Sequence, residues 1–235
     1  KNKSRLILLN KSDLADERVT KEWVKWFEEK GYFTIMVNSR NGQGLKAIND
    51  IVKEACKEKI ERDRKRGILN RPIRAMVVGI PNVGKSTFIN SFAGRAAAKT
   101  GNKPGVTKGA QWIRLNKQVE LLDTPGILWP KFEDPAVGVK LAMLGSVNDE
   151  ILNIDELSME LIKLLDEHFP EVITERYQIE KQDDPLRVLE EIARVRACLL
   201  KGNELDVSKA ANILMDDFRS GRLGRLTIEF PVVEE

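Results

Sequence analysis

The sequence is poor in the residues that build disulfides, metal cages and membrane spans. It holds two cysteines, Cys56 and Cys198, and one histidine, His168, among its 235 residues. Two cysteines cannot form a disulfide framework, and neither has a metal-ligating neighbour, so we expect buried, reduced thiols. No apolar run approaches the roughly 18 residues that a membrane helix needs. These absences favour a globular, cytoplasmic, membrane-free protein, which we expect to be a monomer.

Charge is divided unevenly along the chain, although the total is only +3. Residues 1–147 hold 28 Lys and Arg against 15 Asp and Glu, a net charge of +13. Residues 148–235 hold 11 against 21, a net charge of −10. This asymmetry favours one half that faces a polyanion and one acidic half. Solvated helix faces without a partner are the alternative.

The apolar pattern alternates between strands and helices in the first half and is helical in the second. Strands are predicted over 4–9, 33–37, 73–78, 110–115 and 118–122, and helices over 20–30, 44–66 and 85–94. Such alternation predicts a parallel α/β sheet covered on both faces, with a fully buried first strand, in a domain over 1–147. Helices alone are predicted afterwards, over 155–168, 185–200 and 206–220, in a helical domain over 148–235.

A glycine-bearing loop follows the strand predicted over 73–78. Its sequence, Gly79-Ile-Pro-Asn-Val-Gly-Lys-Ser86, fits the phosphate-loop pattern, and a predicted helix follows it as that motif requires. Backbone N–H groups would wrap the β-phosphate, Lys85 would place a charge on the β and γ oxygens, and Ser86 would offer a hydroxyl to Mg²⁺. A chance match is the alternative, and the strand–loop–helix context speaks against it. The predicted nucleotide-binding residues of this loop are Pro81, Asn82, Val83, Gly84, Lys85, Ser86 and Thr87.

A second loop, Asp-Thr-Pro-Gly, begins at Asp123, at the end of the strand predicted over 118–122. Asp123 is placed to hold Mg²⁺ through a water molecule, and the N–H of Gly126 is placed to sense the γ-phosphate. An ordinary turn is the alternative reading. Its distance after the phosphate loop favours the catalytic interpretation.

Thr107 lies between these two motifs, in a loop predicted over 95–109 that is rich in Lys, Gly and Thr. Its hydroxyl would complete the Mg²⁺ shell only while the γ-phosphate is present, which predicts a switch. An ordinary loop threonine is the alternative. The predicted catalytic residues are therefore Lys85, Thr107 and Gly126, and the predicted Mg²⁺ ligands are Ser86, Thr107 and Asp123.

A polar tetrapeptide, Asn-Lys-Ser-Asp, begins at Asn10, directly after the first predicted strand. A carboxylate at Asp13 accepts two N–H bonds from an edge of guanine that adenine lacks, so adenine would leave it unpaired. Asn10 is placed to tie this loop to the phosphate loop, and the stem of Lys11 to lie along the base. An N-cap role is the alternative. Ser39 and Arg40, after the next strand, are expected to present backbone N–H groups to the guanine oxygen.

The motifs stand in an unusual order, because the guanine motif precedes the phosphate loop. This order resembles that of the circularly permuted GTPases. Within them, the stretches 38–45, 79–86 and 123–134 closely resemble bacterial ribosome-biogenesis GTPase A. The resemblance implies a P-loop GTPase sheet with permuted motif order, a small all-helical C-terminal domain, and GTP and GDP as ligands. In this class a further strand lies beside the phosphate-loop strand, so we expect the natural chain to extend upstream.

The residue after the Asp-x-x-Gly loop bears on hydrolysis. Many GTPases carry a glutamine there that orients the attacking water, whereas this chain has Ile127. Slow intrinsic turnover is expected, and the resemblance implies that the polarising group comes from a histidine near the natural N-terminus. Asn82 resembles the asparagine that ligates K⁺ in potassium-stimulated relatives, where the cation offsets transition-state charge.

The resemblance also implies a partner, the precursor of the large (50S) ribosomal subunit with its rRNA, and turnover stimulated by that particle. The family implies an RNA-contacting helical tail, but the charge of the tail favours a grip through the basic half. That predicted grip comprises Lys57, Lys59, Arg62, Arg64, Lys65, Arg66, Arg71, Arg74, Lys99, Lys103 and Lys108, with Arg219, Arg222 and Arg225 as a local cluster in the tail. A GTPase serving tRNA modification and a GTP-switched RNA-binding module with little turnover are the alternatives.

Overall fold

The chain forms two compact units. A computed structural model describes residues 3–69, 71–98, 109–115, 119–128 and 132–232. The first unit comprises Lys1–Leu128 with Glu229–Glu235, and the second comprises Trp129–Ile228. This division departs from the boundary predicted after residue 147. Thr107, Lys99, Lys103 and Lys108 lie outside the described residues, as does most of the loop predicted over 95–109.

The first unit alternates strands and helices, as predicted. Its elements are β1 (Leu6–Leu9), α1 (Glu17–Glu29), β2 (Phe33–Met36), α2 (Leu45–Ala55), α3 (Lys57–Lys65), β3 (Ile73–Val77), α4 (Lys85–Ala93), β4 (Gln111–Arg114) and β5 (Val119–Asp123). Its core gathers apolar side chains of α2, α4, β4 and β5 around Val37 and Ile89, which are fully buried. The strand predictions agree closely with these bounds.

The strands of this unit form two separate sheets within the described residues. β1 pairs in parallel with β2. β5 lies between β3 and β4, parallel to β3 and antiparallel to β4. The prediction of an all-parallel sheet is therefore wrong for β4, because a short connection between consecutive strands forces an antiparallel pair. The prediction of a fully buried β1 is also wrong: its residues are half-buried, and it pairs on one side only among the described strands.

Two helix predictions in this unit need correction. α1 begins at Glu17 rather than at Thr20, because the Asp16 carboxylate caps it by accepting from the Val19 N–H at 3.0 Å. The single helix predicted over 44–66 is two helices, interrupted at Cys56. α3 has no buried residue, so no packed apolar face fixes its direction.

The second unit is helical in its described part. Its elements are α5 (Pro135–Met143), a 3₁₀ turn (Asp149–Ile151), α6 (Ile154–His168), α7 (Val172–Tyr177), α8 (Pro185–Val195) and α9 (Val207–Arg219). α5 and α7 were not predicted. Ala142 and Met143 of α5 are buried in the same core as α6, α8 and α9, which explains why the division falls before α5. No helix in the described part of the chain is both long and apolar enough to cross a membrane.

Candidate nucleotide-binding site

The loop after β1 is fastened to the end of β2. The backbone N–H of Ser12 donates to the carbonyl of Val37 at 3.2 Å, and the Ser12 hydroxyl donates to the same oxygen at 3.0 Å. Lys11 takes a left-handed backbone conformation, with φ at 57°, which turns the chain sharply after the strand. Asp13 is half-buried, and its carboxylate has no partner among the described residues. The arrangement leaves an anchored loop with an acceptor carboxylate.

Asn10 joins this loop to two others. Its Nδ2 donates to the carbonyl of Val83 in the phosphate loop at 2.8 Å. Its Oδ1 accepts from the backbone N–H of Ser39 at 3.1 Å and from the Ser39 hydroxyl at 2.8 Å. The predicted tie between the Asn10 loop and the phosphate loop is therefore present, and it extends to the loop after β2.

The loop after β2 holds its shape through side chains that the sequence did not single out. The Asn38 carboxamide accepts from the N–H of Arg40 at 2.9 Å, which is the geometry of an Asx turn. The Ser91 hydroxyl of α4 donates to the carbonyl of Ser39, which is itself buried. An asparagine before a glycine-rich turn signals an Asx turn, whereas nothing local points to Ser91. Arg40 is exposed.

The phosphate loop closes tightly around Lys85, the first residue of α4. The Lys85 ammonium donates to the carbonyls of Gly79 at 3.0 Å and Ile80 at 2.7 Å. Asn82 and Gly84 both have positive φ, at 59° and 90°, so the loop curls and aims its N–H groups toward the start of α4. Such a curl at a helix N-terminus suits an anion.

Gly84 also lies close to the loop that follows β1. A Cβ at Gly84 would lie 2.4 Å from Asn10 Nδ2, a distance that real contacts do not show. The positive φ of Gly84 adds a second reason for glycine. The two loops therefore touch at a point where no side chain has room.

Asp123 ends β5 as a buried, unsatisfied acid. The residue is fully buried, and neither carboxylate oxygen has a hydrogen-bond partner among the described residues. Burial raises the pKa of Asp123 above its usual range, and the nearby Lys85 ammonium opposes that rise. Burial likewise lowers the pKa of Lys85, against the pull of Asp123. A buried acid without a donor fits a site that a divalent cation and its water would complete.

The loop that follows β5 packs directly on the phosphate loop. A Cβ on Gly126 would lie 2.8 Å from Pro81 Cα and 3.0 Å from Lys85 Nζ. The Thr124 hydroxyl donates to the carbonyl of Val77 at 2.7 Å, which fixes the loop to the end of β3. The sequence offered no signal for this role of Thr124. Ile127 is 72% exposed, so it has no packing role among the described residues.

The structure thus brings most of the predicted site residues to one edge of the first unit. Pro81 is buried there, and Val83, Ser86 and Thr87 are half-buried. The only histidine, His168, ends α6 in the second unit. Thr107 lies outside the described residues, so the structure does not place it.

Comparisons with known proteins point to one family. A family model described as "50S ribosome-binding GTPase" matches residues 74–195. The ribosome biogenesis GTPase A of Bacillus cereus is 46% identical over 231 residues, which cover 98% of this chain and 78% of that protein. The chain belongs to the ribosome biogenesis GTPase A family. The Thermotoga maritima member is 32% identical over 97% of this chain and 77% of its own length.

Solved structures agree with this assignment. The GNP-bound structure of YlqF from T. maritima superposes with a TM-score of 0.64 at 30% identity, over 96% of this chain and 81% of that one. A GDP-bound YlqF structure gives a TM-score of 0.65 at 29% identity. The predicted P-loop GTPase fold and family resemblance are thereby confirmed. The chain is a GTPase that binds GTP and GDP and takes part in ribosome biogenesis.

Proposed function

We propose that this GTPase is an assembly factor for the large (50S) ribosomal subunit, and that the pre-ribosomal particle stimulates its turnover in the cytoplasm. The observation that carries the proposal is the match, over nearly the whole chain, to relatives named for ribosome biogenesis, together with a family model described as ribosome-binding. The exposed Ile127 supports the need for stimulation, because an isoleucine side chain offers no hydrogen bond to an attacking water.

The base is read by the loop after β1, in a circularly permuted sheet. Asp13 accepts from the guanine edge, and the Lys11 stem lies along the base. The predicted contact of the Ser39 and Arg40 N–H groups with the guanine oxygen is not proposed further, because these groups donate to the Asn10 and Asn38 side chains and shape the loop instead. The support is the Asn10 amide, which holds this loop against the phosphate loop although the two lie far apart in sequence. A nucleotide that spans both loops would then touch two preassembled halves of one site.

The phosphates lie along the loop over 79–86, and Lys85 exchanges its two carbonyl partners for phosphate oxygens. Ser86 and Thr107 would hold Mg²⁺ directly and Asp123 would hold it through water, and the buried carboxylate, which lacks a hydrogen-bond partner among the described residues, suits that role. When bound, Mg²⁺ neutralises charge on the β and γ oxygens. The Gly126 N–H would contact the γ-phosphate, and Asn82 would hold a K⁺ ion, which would supply positive charge against the transition state.

The RNA of the particle is gripped mainly by the basic half. α3 supports this, because Arg62, Arg64, Lys65 and Arg66 at its end are all exposed and it buries nothing. Arg74 contributes less, since it pairs with Glu120 at 3.0 Å and lies over the Trp112 ring. Lysines and arginines that displace counterions from phosphate make such binding fall steeply with salt.

Cosedimentation with 50S particles tests the proposal. The chain should pellet with the particles to different extents in its GDP, GTP-analogue and nucleotide-free states, and the particles should raise multiple-turnover GTP hydrolysis. Reversal of Arg64, Lys65 and Arg66 to Glu should weaken pelleting and flatten its salt dependence. A matched control reverses Lys163, Lys181 and Lys201, three exposed lysines of the acidic half. Absence of pelleting in every state, or stimulation by tRNA instead of 50S particles, would overturn the proposal.

A further inference from the structure

A buried aspartate of the second unit gathers a group of arginines. The Asp217 side chain, on α9, is 1% exposed. It accepts from Arg176 Nε at 2.9 Å, from Tyr177 Oη at 3.1 Å and from Arg222 Nη1 at 2.7 Å. Arg196 Nη2 lies 3.9 Å from the same carboxylate. We call Arg176, Arg196 and Arg222 the arginine cluster.

The charges of this cluster do not balance. One guanidinium would neutralise one carboxylate, yet three surround Asp217, which leaves a surplus of two positive charges. The side chains are 31%, 39% and 57% exposed for Arg176, Arg196 and Arg222, so the surplus faces solvent. Like charges held together repel one another, and an anion bound from outside would relieve that repulsion.

The carboxylate also fixes where the remaining donors lie. A guanidinium carries five N–H groups in a rigid fork, and the Asp217 contacts use Nε of Arg176 and Nη1 of Arg222. Arg222 is held further by Ser220, whose hydroxyl accepts from its Nε at 2.9 Å. Arg196 lies over the Tyr177 ring, 5.2 Å from its centroid. The forks are therefore oriented in advance, which suits bidentate contact with phosphate oxygens.

Arg219, which the sequence placed in the same basic cluster as Arg222, has a structural role instead. Arg219 pairs with both oxygens of Asp149, at 2.7 and 2.9 Å, and donates to the carbonyls of Ala142 and Met143. It joins the end of α9 to α5 and the 3₁₀ turn, so we withdraw it from the predicted RNA contacts. The arginine cluster contains Arg176 and Arg196 beside Arg222. These two residues lie far from Arg222 in sequence and were not predicted as RNA contacts.

We propose that the arginine cluster is a phosphate-binding site at which the second unit contacts the backbone of ribosomal RNA. The inference rests on the proposed function for its partner. The region 148–235 carries a net charge of −10, which repels RNA in general. A local, preoriented cationic site therefore determines where the phosphate backbone can approach this half of the chain, while the basic half supplies the bulk of the attraction.

The test measures binding of the full chain to rRNA extracted from 50S subunits, over a range of salt concentrations. The double substitution Arg196→Gln with Arg222→Gln leaves Arg176 and Tyr177 on Asp217. It should weaken binding about tenfold and reduce the slope of log affinity against log salt by about 1.4 to 1.8, the value for two lost phosphate contacts. The matched control is Arg187→Gln with Arg194→Gln, which removes two exposed arginines of α8 that pair with Glu190 and Glu191. The control should keep the parent slope.

A second double substitution distinguishes the loss of the binding site from misfolding. Arg196→Lys with Arg222→Lys keeps both charges and removes the planar forks, so the salt slope should stay while affinity falls. Particle-free GTP hydrolysis and the melting temperature verify that each variant is folded. A folded Gln pair with the slope of the α8 control would overturn the site, as would a Lys pair with the affinity of the parent. If the parent protein itself failed to bind 50S particles, that result would contradict the proposed function, and not only the arginine cluster as a binding site.

Discussion

Two buried aspartates, one in each unit, differ in their hydrogen-bond partners. Asp217 of the helical unit accepts hydrogen bonds from two segments, through Arg176 and Tyr177 of α7 and through Arg222 after α9. Asp123 of the first unit is as deeply buried and has no hydrogen-bond donor among the described residues. A buried acid that is satisfied within the chain organises structure, whereas one left unsatisfied is stabilised by a ligand. The Asp217 carboxylate is thus satisfied within its own unit, whereas we predict that Asp123 gains its partners only when the first unit binds Mg²⁺ and nucleotide.

Asp13→Asn should give the largest change, because it alters an acid that we predict has only the base as its partner. Guanine preference over adenine, expected to reach about 10⁴ for a site built to hydrogen-bond one edge, should be lost, and xanthine nucleotides should bind better. Titration with GTP, ATP and XTP measures this. The exposed Asp50 on α2, changed to Asn, serves as the control. Equal affinity of the parent for GTP and ATP would contradict the assignment of Asp13.

Lys85→Ala should reduce turnover by about 10³-fold or more, since it removes the cation expected on the developing phosphate charge. It also leaves Asp123 without its neighbouring charge, so the nucleotide-free first unit should lose stability. Single-turnover hydrolysis with saturating 50S particles measures the rate. Lys46→Ala, at an exposed position of α2, provides the comparison. A Lys85→Ala enzyme with the parent rate would exclude the predicted phosphate site.

Asn substitutions at Asp217 and Asp123 should have different effects on the stability of the two units. Asp217→Asn weakens charge-assisted hydrogen bonds and should destabilise the helical unit by about 2–3 kcal/mol without changing GTP affinity. Asp123→Asn removes a buried carboxylate that lacks hydrogen-bond partners among the described residues, which offsets the lost attraction to the Lys85 ammonium, so the nucleotide-free protein should keep its stability while the Mg²⁺ dependence of GTP binding fades. Calorimetric unfolding with and without Mg²⁺ and nucleotide checks both. If only the Asp123 variant lost much stability, the conclusion that Asp217 is satisfied within the chain and Asp123 is not would be wrong.

Asn10→Ala should have the smallest effect of the four, a loss of about tenfold in affinity for GDP and GTP alike. The substitution removes the hydrogen bond that joins the loop after β1 to the phosphate loop, and such a bond contributes about 0.5–1.5 kcal/mol, which is at most about tenfold in affinity. The two bonds to Ser39 that are also lost lie within the base side of the site. Base preference should survive, because Asp13 is untouched. Isothermal titration measures both quantities, with Asn41→Ala in the exposed turn after β2 as control. Unchanged affinity would show that the loops hold their places without the bridge.

The sequence predicted the strands and the motif loops well, because both follow from short-range patterns. It was less successful for helix bounds. The helix over 44–66 breaks at Cys56 although its charged residues favour helix throughout. α5 was missed, yet Asp134 caps it and Pro135 occupies its first turn, a local signal that could have revealed it. Because α5 was not predicted, the predicted boundary after residue 147 differs from the division into units, which falls before α5.

The candidate site shows the same limit at the level of single side chains. Asn10 could be predicted as a tie because the motif places it beside the phosphate loop. Ser91 and Thr124 could not, since each acts on a backbone carbonyl more than forty positions away in the chain. The arginine cluster is the extreme case, because its members share no pattern and meet only through Asp217.

The contact between Gly84 and Asn10 also restricts how the sequence can change over time. Any side chain at Gly84 would clash with the Asn10 amide, because even a Cβ would lie 2.4 Å from Nδ2. The two positions lie in motifs that permuted and unpermuted chains would encode in opposite order, yet the steric demand between them is the same. A smaller residue at Asn10 would remove the clash but not the backbone strain at φ 90°, so a library randomised at both positions should recover only clones that keep Gly84.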